Sequence, residues 1–337
     1  MSKKYTSIGG QALIEGIMMR GPKRTVIAVR KNTNEIEIVD MPEKHLKDKI
    51  KFLGWPIIRG AINFVESMIT GYKAMMISAD KSGFTEIEEE QDRQKRLLKE
   101  NKKRAEKGLE PLEEAPENKA ENAIINTVMV IAAVLGVVLA VALFMYLPRL
   151  LVDGLQWLFK TDFSVIARSL IEQLIKLIVF VSYVLLVSFM KDIRRVFQYH
   201  GAEHKTIFCY EAGEELTVEN VKKQSRFHPR CGTSFMILMI IISFLVSVVI
   251  QNIFPAVYNL KWVWVIAKIL LIPITCGLGY EVLKICGKYD NLLTRIIAAP
   301  GLWMQRITTK EPEDDMIEVA ISSIKAVIPE NDNGELA

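Results

Sequence analysis

Cysteine and histidine are scarce in this chain, with four of each among 337 residues. Cys209, Cys231, Cys276 and Cys286 have no paired spacing, so no disulfide framework is expected and a reducing, cytosolic setting suits them. An excess of charge is also lacking: a scattered net charge of +4 argues against a nucleic-acid partner. Lys3 and Lys4 are followed by a glycine-rich polar segment and not by an apolar core, so no signal peptide is expected and insertion into a membrane falls to internal helices. Gly9, Gly10, Gly16 and Gly21 match neither a dinucleotide fingerprint nor a phosphate loop with its Lys-Ser/Thr. No internal repeat is present, which ranks a transporter below other readings despite Lys268 and Glu281 in or beside an interrupted span.

What the chain has in quantity is segregated hydrophobicity. Hydrophobic residues make up 50% and charged residues 24%, at a mean hydropathy of +0.20. The uncharged run from Ala123 to Leu147 is long enough, at 1.5 Å per residue, to cross a ~30 Å hydrocarbon layer. Further spans are predicted over about Leu170–Met190, Ser234–Phe254 and Trp262–Val282. In the second, Glu172 and Lys176 stand one turn apart and could pair. The fourth is interrupted by Lys268, Pro273, Gly277 and Gly279, with Trp262 and Trp264 suited to the membrane interface. The segment Lys191–Arg230 is rich in Lys and Arg, whereas the turn between spans three and four offers only Lys261, so both termini are expected on the cytosolic side. Arg149, Lys160 and Arg168, in an expected outer loop, run against that assignment.

Outside the spans, Thr25–Lys31 and Glu35–Asp40, joined by Asn32-Thr33-Asn34, read as a β-hairpin. After Trp55-Pro56, the recurrence of Arg59, Asn63, Glu66, Thr70 and Lys73 predicts a helix with one narrow polar stripe, lying in the membrane interface or against the spans. The expected fold is therefore mainly α: a polytopic helical membrane protein with about four transmembrane helices, a small N-terminal β element and cytosolic or interfacial helices. Its expected divisions are 1–83 (hairpin and interfacial helix), 84–122 (charged linker), 123–282 (bundle, with a polar loop at 191–233) and 283–337 (C-terminal helices).

Three of the four histidines fall between spans two and three; the fourth, His45, is isolated and is given no role. On a helix, His200 and His204 share a face one turn apart, the separation two imidazoles need to hold one metal ion. With Glu203 they form the H-x-x-E-H order of the inverzincin hydrolases, in which two histidines hold zinc and the glutamate takes a proton from the attacking water. His228-Pro229-Arg230-Cys231-Gly232 has the outline of a zinc knuckle. If His200, His204, His228 and Cys231 all ligate, the site is closed and structural; if one stays out, or if Glu211, Glu214 or Glu215 supplies a third ligand, hydrolysis becomes feasible. Cys231 as a nucleophile ranks last, for want of a base. Arg194 and Arg195 suit topology anchoring or an anionic headgroup.

Four blocks resemble those of the bacterial YqhQ-like membrane proteins: Gly9-Gly10-Gln11-Ala12-Leu13-Ile14-Glu15-Gly16-Ile17-Met18-Met19-Arg20-Gly21-Pro22, Tyr199-His200-Gly201-Ala202-Glu203-His204-Lys205, His228-Pro229-Arg230-Cys231-Gly232-Thr233-Ser234 and Pro300-Gly301-Leu302-Trp303-Met304-Gln305. The resemblance spans nearly the whole chain. It implies a domain of unknown function often labelled a metal-dependent enzyme, supports the membrane and metal readings, and supplies no substrate. It also implies that Gln11, Glu15 and Arg20 belong near the histidine cluster. The resulting expectation is a zinc-dependent hydrolase at the cytosolic face of the cytoplasmic membrane, acting on a lipid or membrane-protein substrate. The alternative is a non-enzymatic scaffold or assembly factor with a structural zinc site.

Overall fold

The computed structural model describes residues 8–42, 51–84, 134–229, 231–254, 260–289 and 291–328, with scattered positions between 90 and 131. His45, most of the charged linker and the first half of the run 123–147 lie outside the described residues.

The glycine-punctuated N-terminus, together with the predicted hairpin, forms one antiparallel meander of β1 (Gly9–Leu13), β2 (Gly16–Arg20), β3 (Thr25–Arg30) and β4 (Ile36–Met41). The expected hairpin is the β3–β4 pair, with Ala28 opposite Ile38. Sequence reading missed β1 and β2 because Gly9, Gly10 and Gly16 break the strand signal and Ile17-Met18-Met19 does not alternate with polar residues. The tertiary reason is that this part of the sheet is covered on both faces. Ile17, Met19, Val26 and Ala28 join one core cluster, while Leu13, Met18, Ile27 and Val29 join another. A two-residue turn, Ile14-Glu15, joins β1 to β2 and holds Glu15 at φ 51°, a left-handed conformation unusual for a side chain with a Cβ.

Nine helices are described here: α1 (Ile58–Lys81), α2 (Val134–Phe159), α3 (Val165–Val187), α4 (Lys191–Glu211), α5 (Val218–Lys223), α6 (Gly232–Ile253), α7 (Lys261–Lys288), α8 (Leu292–Thr308) and α9 (Asp314–Val327). Helix α1 covers one sheet face through Ala74. Helices α4, α5 and α9 cover the other, where Tyr199, Ala202, Val221, Met316, Ile317 and Ile324 are buried. Full burial of such apolar side chains contributes about 1.5–3 kcal/mol each, which makes α9 the principal cover of this sheet face.

Four helices, α2, α3, α6 and α7, are long and apolar enough to cross a membrane. Residues 160–164 join α2 to α3 at one end of the bundle, and the sheet with α4, α5 and α9 gathers at the other. Helix α1 bridges the two parts: Ser78 donates to the Ile14 carbonyl at 2.5 Å, and Arg59 pairs with Glu281 of α7 at 2.5 Å.

The first span runs on past its expected end. Its helix continues through Pro148 and Arg149 to Phe159, so Arg149 is buried in the bundle and the connection expected on the outer side shrinks to five residues. Arg168 lies in α3, where it pairs with Asp153 of α2. Glu172 pairs with Lys268 of α7, not with Lys176. Trp264 is fully buried and turns into the bundle, while Trp262 is exposed. For Arg168 and Glu172 a partner on another helix decides the outcome, and helical periodicity in one segment carries no signal of it.

Candidate metal centre

Helix α3 ends in a break at 188–190, and α4 restarts from Met190, which is extended. The tenth and fourteenth positions of α4 are His200 and His204, whose rings stack edge-on with centroids 4.4 Å apart. His200 Nδ1 lies 2.9 Å from the Thr308 carbonyl, and His204 Nδ1 lies 2.6 Å from the Arg226 carbonyl. A carbonyl can only accept, so each Nδ1 carries the proton and each Nε2 keeps its lone pair. Anchoring one ring nitrogen in this way is how a ligating histidine is oriented.

Both Nε2 atoms converge on Cys231, which sits at the mouth of α6. His200 Nε2 is 3.2 Å from Cys231 Sγ, and the ligand atoms of His200, His204 and Cys231 all lie within 4.8 Å of one another. Bonds of ~2.0–2.3 Å at a tetrahedral zinc put neighbouring ligand atoms about 3.5 Å apart, so the donor set and its spacing fit this ion. His204 and Cys231 are buried, and His200 is half-buried. Gly201 makes the arrangement feasible: a Cβ there would collide with the Lys310 carbonyl, on the same strap that presents Thr308 to His200.

His228 stands beside this trio and not within it. Gln305 clamps its backbone, receiving the His228 N–H at 2.7 Å and donating to its carbonyl at 2.7 Å. The ring is thereby directed against Phe208, 4.7 Å between centroids, with Nε2 3.9 Å from Glu211. Glu211 therefore faces His228, and Glu214 accepts from Gln224 at 2.9 Å; neither belongs to the ligand group found among the described residues.

Glu203 is buried beneath β1. The backbone N–H of Gly10 reaches its carboxylate, and a Cβ on Gly10 would stand 2.9 Å from the carboxylate carbon. Its Oε2 has no hydrogen-bond partner among the described residues. Burial pushes the Glu203 carboxyl up to about 7; the neighbouring His200 and the Gly10 amide oppose that rise, and Cys231 adds to it. Burial also holds the His204 imidazole below its ordinary range, helped by His200.

Of the N-terminal candidates, Glu15 reaches α4 but not the trio. It pairs with Arg195, whose Nη2 lies 2.7 Å from Oε2, and accepts from the Tyr199 hydroxyl at 3.2 Å. Arg195 thus ties the sheet to α4, and Arg194 is exposed. Gln11 packs against Gly71 of α1, and Arg20 ends β2 opposite Thr25. Gln305 escaped a residue-level reading, because its task is to hold a backbone 77 positions away.

The profile of the family described as Protein of unknown function (DUF1385) matches residues 55–330. The chain is 33% identical over 321 residues to "Uncharacterized protein YqhQ" of Bacillus subtilis (strain 168), across 95% of this chain and 92% of that protein. No solved structure matches. The family match takes in His200, His204 and Cys231 but begins after the sheet that supplies Gly10.

Proposed function

We propose, for a chain that belongs to the family Protein of unknown function (DUF1385), that it is a zinc-dependent hydrolase working at the cytosolic face of the cytoplasmic membrane. The observation that carries this reading is the convergence of three donors, two Nε2 atoms and one thiol, each histidine locked in the ligating tautomer by a carbonyl. Three protein ligands leave one tetrahedral position for chemistry, whereas structural sites use four. When bound, the ion would supply Lewis acidity. Glu203 is then the general base: its Oε2 has no hydrogen-bond partner among the described residues, and a carboxyl raised to about 7 is matched to proton transfer near neutral pH. The cytosolic assignment rests on the Lys- and Arg-rich segment 191–230, which gathers at the same end of the bundle as the sheet. A centre at that end favours a lipid or membrane-protein substrate.

The scaffold alternative needs a fourth protein ligand, and His228 is its candidate, with its ring centroid 5.6 Å from that of His204. Cobalt substitution separates the two without a known substrate. An open site gives a visible spectrum that shifts when azide is added; a closed one gives a spectrum that azide leaves unchanged, and that result would sink the hydrolase reading.

A further inference from the structure

The membrane bundle encloses a second polar centre, remote from the histidines. Lys176 of α3, Lys268 of α7, Ser243 and Ser247 of α6 and Thr275 of α7 line a cavity of about 50 Å³ between the helices. Lys176 stands about 16 Å along α3, near the middle of a ~30 Å hydrocarbon layer, where an ionised side chain is costly and ordinarily marks a functional site.

The charges around this cavity do not balance. No carboxylate lines it. Glu172, one turn before Lys176, gives its carboxylate to Lys268. Lys176 makes no hydrogen bond or ion pair with any described residue, so Lys176 and Lys268 share the single carboxylate of Glu172. A second ammonium nearby and the hydroxyls of Ser243 and Ser247 add donors to the same space. Thr275 is excluded as a donor, because its hydroxyl already serves the Ile272 carbonyl at 2.9 Å. A cavity rich in donors, poor in acceptors and carrying net positive charge selects an anion over a cation. Its volume admits a single atom with a water or two and excludes a phosphate headgroup with its glycerol.

We propose that this cavity is a binding site for a small monovalent anion of halide size, held by Lys176 with Lys268, Ser243 and Ser247. Trp264 reports on it, since its ring lies 5.4 Å from the Lys268 ammonium. The test uses full-length protein in detergent, moved from sodium gluconate into sodium bromide at constant ionic strength while tryptophan fluorescence is followed. Bromide quenches by contact, so occupation adds a saturable component to the linear quenching of exposed tryptophans. That component is expected in the wild type, and it is expected to vanish in Trp264→Phe and in Lys176→Met while the linear part persists. An unchanged melting temperature and gel-filtration profile check that the variants are folded. Should Lys176→Met fail to fold, Ser247→Ala removes one donor and is expected to weaken the midpoint about five- to tenfold. Purely linear quenching in the wild type overturns the proposal. A saturable component unchanged in Lys176→Met, or a midpoint unchanged in Ser247→Ala, overturns it equally.

Discussion

His200 Nε2 lies 3.2 Å from Cys231 Sγ, although 31 positions and a change from the polar end of the molecule to the mouth of a membrane span separate them in sequence. The contact joins α4 to the start of α6, so a metal ion bridging these residues would tie the layer over the sheet to the bundle. It also divides the four sequence candidates unequally, with consequences for each variant.

Metal content is expected to follow the geometry and not the motif. Plasma mass spectrometry on detergent-purified protein should find close to one zinc per chain in the wild type, loss in His200→Ala, His204→Ala and Cys231→Ala, and retention in His228→Ala. Loss in His228→Ala as complete as in Cys231→Ala would restore the four-ligand, structural site.

Glu203→Gln should keep the metal and the fold while removing the base. Hydrolysis by the zinc-loaded protein, once a substrate is found by screening, is expected to fall by about 10²–10⁴-fold. Full activity with metal retained would eliminate the assigned role.

Gly201→Ala places a methyl group against the Lys310 carbonyl. Overpacking of this kind costs about 1–3 kcal/mol, and it pushes the strap carrying Thr308 away from His200. Thermal denaturation should register the loss, and zinc affinity by chelator competition should drop by about 10–100-fold, as when a ligand's outer partner is removed. Unchanged affinity would mean that the Thr308 carbonyl does not orient His200.

Gln305→Ala strips two hydrogen bonds from the buried backbone of His228. Leaving those groups unmatched costs about 1–3 kcal/mol each, so the melting temperature should fall. Zinc stoichiometry should survive, because Gln305 orients His228 and not the trio. A variant that melts like the wild type would show that water replaces the amide.

Sidedness is open to a labelling experiment. A membrane-impermeant thiol reagent applied to intact cells should modify Lys160→Cys, in the short connection between α2 and α3, and spare Glu214→Cys, in the exposed segment that follows α4. The reverse pattern would place the histidine centre outside the cell.

Several features were legible in the sequence because their cause is local. A run that must cross a hydrocarbon layer advertises itself by length, and three of the four helices fit for that task, Val165–Val187, Phe235–Ile253 and Trp262–Cys286, lie near their expected bounds, while the first runs on past its expected end. Alternation at Glu35-Ile36-Glu37-Ile38 marked β4, whose edge is open to water. Helical periodicity alone placed His200 and His204 on one face.

What the sequence by itself determined, then, is which segments are helices, which can enter a bilayer and where two imidazoles stack. Only the tertiary structure decided that Cys231 and not His228 completes the trio, that Glu172 serves Lys268 and not Lys176, that Arg149 lies within a helix, and that β1 and β2 exist at all. Local periodicity reports the face on which a residue stands. The group it meets is set by packing between segments far apart in the chain, where a glycine that lets two backbones approach, as at Gly201, or an amide that clamps another residue's backbone, as at Gln305, leaves no periodic trace.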